Sequence, residues 1–348
     1  MINVVVVDDS AFMRKAISTM LEKDPDIKVV ATARDGEEGL RTVRKYNPDV
    51  VTLDIEMPKM DGLTALRHIM MEMPRPVLMV SSLTTEGAEA TLKAMDLGAV
   101  DFIPKQLSKV SLDIVKIERD LISKVKSVAK RKMRPIPRIR SAAARRPAAP
   151  VRTHAGRPKR DVVVIGVSTG GPPAVQKILS SLPADFPAGI VIAQHMPKAF
   201  TGPFASRLNG VSPLKVKEAE TGDRLLPGHV FVAPGGSHLI ISQKVSRIEI
   251  IVTPDPKEAL YKPSANVLVS SVANAVGRRA LGVILTGMGN DGRDGIRELK
   301  GKGGRAIAQS DSSCVVYGMP KAIVDDGLAD EIVDIEDMAA AIINNLYL

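Results

Sequence analysis

A single cysteine, Cys314, stands in 348 residues, which excludes an internal disulfide framework and fits a reducing compartment. As a lone thiol, Cys314 reads as a small buried hydrophobe in preference to a nucleophile. No apolar run reaches the roughly 18 residues that a membrane span needs, so no insertion into a membrane is expected. No basic segment precedes the first apolar stretch, and that stretch stops at Asp8 and Asp9, so the start of the sequence does not read as a secretory signal. These absences together predict a cytoplasmic protein. Acidic residues are missing from residues 130–160, which hold twelve Lys/Arg and no Asp/Glu; the net charge of +9 belongs to this segment, since elsewhere 36 basic residues face 39 acidic ones. Five prolines (135, 137, 147, 150 and 158) and an alanine run leave the segment little apolar surface to bury. It reads as a solvated interdomain linker that self-repulsion keeps extended, in preference to a DNA-binding or membrane-binding patch.

What is present is the composition of a soluble globular protein, 45% hydrophobic and 25% charged, and the length exceeds what one core organises. The expected plan is a first domain over residues 1–125, a linker over 126–160 and a second domain over 161–348, acting as a monomer. In the first domain, apolar runs at 4–7, 29–33, 50–53, 77–80 and 99–103 alternate with amphipathic stretches of helical length. That pattern predicts a doubly wound α/β domain on a parallel sheet, with ligands at the carboxyl ends of the strands. The polar residues fall at those ends: Asp8 and Asp9 after the first run, Asp54 after the third, Ser81 and Ser82 after the fourth, Lys105 after the fifth. Converging carboxylates need a cation, and hard oxygen ligands with room for water suit Mg²⁺. Asp54 as the group attacking a phosphoryl centre, metal at Asp9 and Asp54, and Ser81 with Lys105 on the phosphate oxygens make one constellation.

The motifs VVVDDS, LDIEMPKMDG, LMVSS and DFIPK resemble the response-regulator receiver family over residues 1–125. The resemblance implies a flavodoxin-like fold, Asp8 and Asp9 assisting metal binding, Asp54 as phosphoacceptor, the Glu56 carbonyl as a further ligand and Phe102 as the movable aromatic. It also implies a histidine kinase as phosphodonor. Pro104 stands where many receivers carry an aliphatic residue, a departure that leaves Lys105 in place.

In the second domain the apolar run 161–165 ends in GVSTGG, followed by two prolines and a helical pattern. Strand, glycine turn and helix is the setting in which G-x-S-x-G lifts a serine clear of a sheet, and it puts Ser168 at a helix N-terminus. A dinucleotide fingerprint wants glycine where Ser168 stands. Of the five histidines, His68 lies in the first domain and His154 in the linker. His195 ends the run 189–193 and so shares the sheet edge of Ser168, whereas His229 and His238 begin two short strands that look like a hairpin. After the run 280–285 the loop TGMGNDG offers Asp291 as the acid that orients the base, with Asp294 and Asp311 as rivals. A mainly parallel doubly wound α/β hydrolytic domain with an antiparallel hairpin is expected.

GVSTGG, QHMP and LTGMGNDG resemble the catalytic domain of the CheB protein-glutamate methylesterase family over residues 160–346. The resemblance implies Ser168 as nucleophile, His195 as base, Asp291 as orienting acid, the Met288 and His195 amides as oxyanion donors, and Thr169 in support of the histidine. The implied substrate is a glutamyl γ-methyl ester on methylated chemoreceptors, hydrolysed without a metal or other cofactor in that domain. Many relatives also deamidate receptor glutamines, and the residues do not decide whether this chain does. Two rivals stay beside this reading. One is a DNA-binding output, opposed by 18 basic against 19 acidic residues over 161–348 and the lack of a helix-turn-helix pattern; the other is a docking module that keeps Ser, His and Asp as relics.

Overall fold

In the computed structural model, residues 1–105, 112–129 and 156–348 are described, with side chains from residue 117 onward in the helix that starts at 112. The chain divides into two compact units, residues 1–143 and 144–348. Most of the expected linker, residues 130–155 including His154, lies outside the described residues.

The first unit runs β1 (Ile2–Val7), α1 (Ala11–Leu21), β2 (Ile27–Ala33), α2 (Gly36–Tyr46), β3 (Val50–Asp54), α3 (Gly62–Glu72), β4 (Val77–Ser81), α4 (Thr85–Asp96), β5 (Asp101–Pro104) and α5 (Leu112–Val128). All strand pairs are parallel and the order is β2-β1-β3-β4-β5. The valines of β1 are buried because helices cover both faces of the sheet, as expected for parallel strands that read as unbroken apolar runs. Helix starts are written into the sequence: Ser10, Asp35, Asp61 and Thr84 each accept a hydrogen bond from an amide three residues on, the usual N-cap arrangement. Helix α5 continues three residues past 125, the boundary expected for the first domain.

The second unit runs β6 (Val162–Val167), α6 (Gly171–Ser181), β7 (Gly189–Gln194), α7 (Lys198–Val211), β8 (Lys215–Glu218), β9 (His229–Val232), β10 (His238–Gln243), β11 (Ile248–Thr253), α8 (Ala265–Val276), β12 (Ala280–Ile284), α9 (Arg293–Gly301), β13 (Arg305–Gln309), α10 (Met319–Asp325), β14 (Glu331–Val333) and α11 (Met338–Tyr347). Its sheet has the order β14-β13-β12-β6-β7-β9-β8, parallel throughout. From β6 the chain adds β7 on one side and later β12 on the other, so the strand order reverses between β6 and β12. In open α/β sheets such a crevice is where ligands bind.

An antiparallel hairpin is present, but not between the two strands expected to form it. The run that starts at His229 joins the main sheet as β9, parallel to β7 and β8, while β10 pairs with β11 from His238↔Thr253 to Gln243↔Ile248. Burial decides the partner. β9 is buried from Val230 onward and suits a sheet interior, whereas β10 places Leu239 and Ile241 in the core shared with α8 and leaves Ile240 and Ser242 on its other face half exposed.

One backbone approach in the first unit is tight enough to test. A Cβ on Gly62 would lie 1.9 Å from the Asp54 carbonyl oxygen, and the Gly62 amide donates to Ile55 O at 2.9 Å. Gly62→Ala is expected to destabilise the first unit by about 1–3 kcal/mol through overpacking. Calorimetry of the full chain should show the transition of the first unit lowered and that of the second unchanged; equal stability would mean that the loop after Asp54 can shift freely.

Candidate functional site

Parallel pairing puts the candidate nucleophile and base side by side. Val167 and Gln194 are register partners at the ends of β6 and β7, so Ser168 and His195 are the next residues on adjacent strands. The turn after Ser168 needs glycine at 170, where φ is +78° and a Cβ would meet Val315 Cγ2 at 2.2 Å. A third segment arrives from β12: the Ser168 amide donates to Thr286 O at 3.0 Å, and a Cβ on Gly287 would lie 2.8 Å from Ser168 Cβ. Ser168 is therefore clamped at the reversal point between β6 and β12.

The base is fixed by its partner. His195 Nε2 lies 2.7 Å from Asp291 Oδ2, with both side chains largely buried. A carboxylate only accepts, so Nε2 carries the proton and Nδ1 is left as the basic nitrogen. Nδ1 is buried and has no hydrogen-bond partner among the described residues. Asp291 is itself held at the N-terminus of α8. Oδ2 also accepts from the Ala265 amide at 2.6 Å, and Oδ1 accepts from Ser264 Oγ at 2.9 Å, the Asn266 amide at 2.9 Å and the Gly292 amide at 3.1 Å. Burial alone would raise the Asp291 carboxyl, but the hydrogen bond and electrostatic attraction of His195 and the Asn266 and Ala265 amides outweigh it and hold the pKa below its ordinary value.

The rival residues lie elsewhere. Asp294 is in the first turn of α9, exposed and paired with Arg297, and Asp311 follows β13 in an exposed turn. His229 Nδ1 lies 3.0 Å from the Pro227 carbonyl, and its ring is stacked near Phe231 with centroids 6.5 Å apart. His238 is fully buried, and burial pushes its pKa down. Its Nδ1 accepts from the Ser264 amide and its Nε2 then donates to Pro256 O, both at 3.3 Å. Cys314 is buried. Thr169 is buried, and its carbonyl accepts from Thr286 Oγ1 at 2.9 Å. One expected role does not fit: the His195 amide donates to Val167 O at 3.1 Å. That bond belongs to the β6–β7 ladder, so the His195 amide is already committed where an oxyanion donor was expected.

Four further residues belong to this site, and of these only Gln194, the first residue of QHMP, lies in a quoted motif. Tyr261 stacks on the His195 ring, with centroids 4.2 Å apart and planes at 10°. Gln194 Nε2 donates to the carbonyls of Ser168 at 3.0 Å and His195 at 3.2 Å, tying the two strand ends together. Ser264 caps α8 while donating to Asp291. Asn266 Oδ1 accepts from the Gly292 and Gly295 amides at 2.9 and 3.0 Å. Of the other three only Ser264 had a readable signal, a serine directly before a helical apolar pattern.

In the first unit, oxygens of Asp8, Asp9 and Asp54 lie within 4.8 Å of one another, with Asp8 and Asp54 buried and Asp9 exposed. Lys105 Nζ sits 2.7 Å from Asp54 Oδ2 and 3.4 Å from Asp8 Oδ2. Burial, reinforced by the Asp8 charge and opposed by Lys105, pushes the Asp54 pKa up to about 6; burial also raises Asp8. Burial works against the Lys105 charge, but Asp54 and Asp8 outweigh it and raise its pKa. Clustered carboxylates at a strand edge, short of positive charge, fit a hard divalent cation. The Glu56 amide reaches Asp54 Oδ1 at 3.4 Å, which folds the 54–56 turn over the cluster. Ser81 is not turned to the cluster through its hydroxyl: Oγ accepts from Thr91 Oγ1 at 2.7 Å and lies 3.1 Å from Gly87 O, both in α4. Phe102 is buried, with Lys124 Nζ 5.5 Å from its ring centroid.

Fold and sites together define a receiver joined to an α/β domain whose sheet edge carries a serine beside a histidine–aspartate pair. Family models match accordingly: the response regulator receiver domain over residues 4–115 and the CheB methylesterase over residues 163–342. The chain is 72% identical to the protein-glutamate methylesterase/protein-glutamine glutaminase 2 of Nitratidesulfovibrio vulgaris, with all of both chains covered. It is 44% identical to the corresponding Pyrococcus horikoshii protein, covering 98% of this chain and 93% of that one. The crystal structure of the Thermotoga maritima CheB methylesterase catalytic domain covers 53% of this chain and 98% of its own, at 38% identity and a TM-score of 0.52. The protein belongs to the CheB methylesterase family.

The receiver cluster makes a prediction about stability. A carboxyl with a raised folded pKa contributes stability below its unfolded pKa, and that contribution is lost as pH rises to the folded value. Between pH 4 and about 6 the receiver should therefore lose stability through Asp54. Asp54→Asn should be the more stable protein at pH 7 without metal, by about 1–2 kcal/mol once the lost Lys105 pairing is set against it. Millimolar Mg²⁺ should close the gap by stabilising the native protein more than the variant. An Asn variant that melts below the parent at pH 7 without metal would contradict this.

Proposed function

We propose that this protein is a phosphorylation-activated protein-glutamate methylesterase of chemotaxis adaptation, which also deamidates receptor glutamines through the same acyl-enzyme. The observation that carries the reading is the His195–Asp291 pair, with Nδ1 left as the basic nitrogen on the strand next to Ser168. In the first step Ser168 Oγ attacks the γ-carbonyl of a glutamyl methyl ester while His195 Nδ1 takes its proton. Asp291 stabilises the imidazolium, and the tetrahedral oxygen is met by the Met288 amide. The imidazolium returns the proton to the departing methoxide, releasing methanol. Water, deprotonated by the same nitrogen, then frees the receptor glutamate and Ser168. With a glutamine substrate the group that leaves is ammonia. Ser168, His195, the leaving group and water account for every proton, so this scheme asks for no cofactor in the catalytic unit.

The first unit supplies control. Asp54 accepts a phosphoryl group from a histidine kinase in the cytoplasm, and Asp8, Asp9, Asp54 and the Glu56 carbonyl are the groups that would hold Mg²⁺. The ion supplies charge neutralisation while phosphate is bound. Lys105, now on Asp54, passes to a phosphate oxygen. Ser81 must leave Thr91 and Gly87 to reach the phosphate, which changes the packing of α4 and carries the signal to the receiver surface.

The test is methanol release from methylated chemoreceptors, with and without acetyl phosphate. Ser168→Ala is expected to lose about 10⁴-fold or more in rate and His195→Ala nearly as much, and phosphodonor should raise the rate of the parent but not that of Asp54→Asn. Residual turnover in Ser168→Ala close to that of the parent would sink the serine mechanism.

A further inference from the structure

We propose that Tyr261 is a positioning residue for the base: its ring holds the His195 imidazole in the orientation that keeps Nδ1 ready to take the serine proton. This rests on the reading of His195 as base. An imidazole held only at Nε2 by Asp291 keeps one freedom, rotation about its bond to Cβ, and that rotation swings Nδ1 away while the ring leans off the carboxylate. Tyr261 removes it by lying nearly parallel on the ring, with centroids at 4.2 Å and planes at 10°. A stacked aromatic face also favours the imidazolium formed when the proton arrives, because the ring quadrupole is negative on its face.

Tyr261 is itself held from several sides. Its loop follows β11 and runs into Ser264, the cap of α8. His238 bridges the loop from beneath, donating to Pro256 O and accepting from the Ser264 amide, both at 3.3 Å. Lys262 Nζ donates to Pro254 O at 3.1 Å, and Lys262 O accepts from the Gly236 amide at 3.1 Å. On the far side the Tyr261 hydroxyl approaches Gly289, where a Cβ would stand 3.4 Å from it. The loop that caps the Asp291 helix therefore also lays a ring on the residue that Asp291 orients, so acid and base are set by one segment.

Three variants and three readouts separate this role from others. Tyr261→Phe keeps the ring, Tyr261→Leu keeps bulk without a π face, and Tyr261→Ala keeps neither. The readouts are the rate of Ser168 labelling by a fluorophosphonate, kcat and KM on methylated receptors, and diethylpyrocarbonate modification of His195 located by peptide mapping. We expect Ala to lower labelling and kcat by about ten- to a hundredfold with KM within about twofold, as a misplaced reacting group does. Leu should fall between, Phe should stay close to the parent, and His195 should be modified faster in Ala. Wild-type labelling rates in both Leu and Ala would overturn the proposal. So would a change confined to KM, which makes Tyr261 a receptor contact, or a Phe variant as damaged as Ala, which moves the effect to the hydroxyl. Failure of the parent itself to label would instead overturn the serine reading, and the His195 modification rates would still decide whether Tyr261 covers that ring.

Discussion

Asp291 is a carboxylate taken almost wholly out of water, and the catalytic unit is arranged around keeping it charged. It takes hydrogen bonds from His195 Nε2, Ser264 Oγ and the amides of Ala265, Asn266 and Gly292. Without those donors burial would push its proton back on. Two of these are amides in the first turn of α8 and a third is the hydroxyl of its cap, where unpaired amides and the helix dipole favour an anion. The cap that starts α8 is thus the device that sets the charge of the acid, the acid sets the tautomer of His195, and the tautomer leaves Nδ1 for the serine. The β6–β7 register supplies the remaining requirement by ending both strands at the same level.

The receiver works under the opposite constraint. Asp8 and Asp54 are buried with too few donors, so Asp54 is raised where Asp291 is lowered. Among the described residues Lys105 is the one cation paired with Asp54. An acid left in that state is poised to change partners, which is what the proposed phosphorylation of Asp54 asks of Lys105 and Ser81. A structural carboxylate and a switching carboxylate are told apart by how fully their oxygens are satisfied.

Much of this could be read from the sequence because it follows from local pattern. Buried valine runs gave the parallel strands, and strand ends gave the places of Asp8, Asp54, Lys105, Ser168 and His195. Asp291 was chosen over Asp294 and Asp311 on its glycine-dense loop, and the structure puts it on His195. Three things escaped because they depend on tertiary packing. Two short strands separated by Pro234, Gly235 and Gly236 look like a hairpin, yet β9 is drawn into the main sheet by β7 and β8 and β10 turns to β11. An amide at a strand end looks free until the register commits it, as with His195 and Val167 O. Tyr261 reaches His195 across 66 positions of sequence and belongs to no motif.

The measurement closest to the centre of the account is the protonation pattern of the His195 ring, read by ¹⁵N–¹H NMR on the full chain at a pH where the ring is neutral. The account predicts a proton on Nε2 with a strongly downfield shift, a bare Nδ1, and loss of that downfield proton in Asp291→Ala. A proton on Nδ1 with Nε2 bare would mean that Asp291 does not set the tautomer, and the assignment of Nδ1 as the base would fall with it.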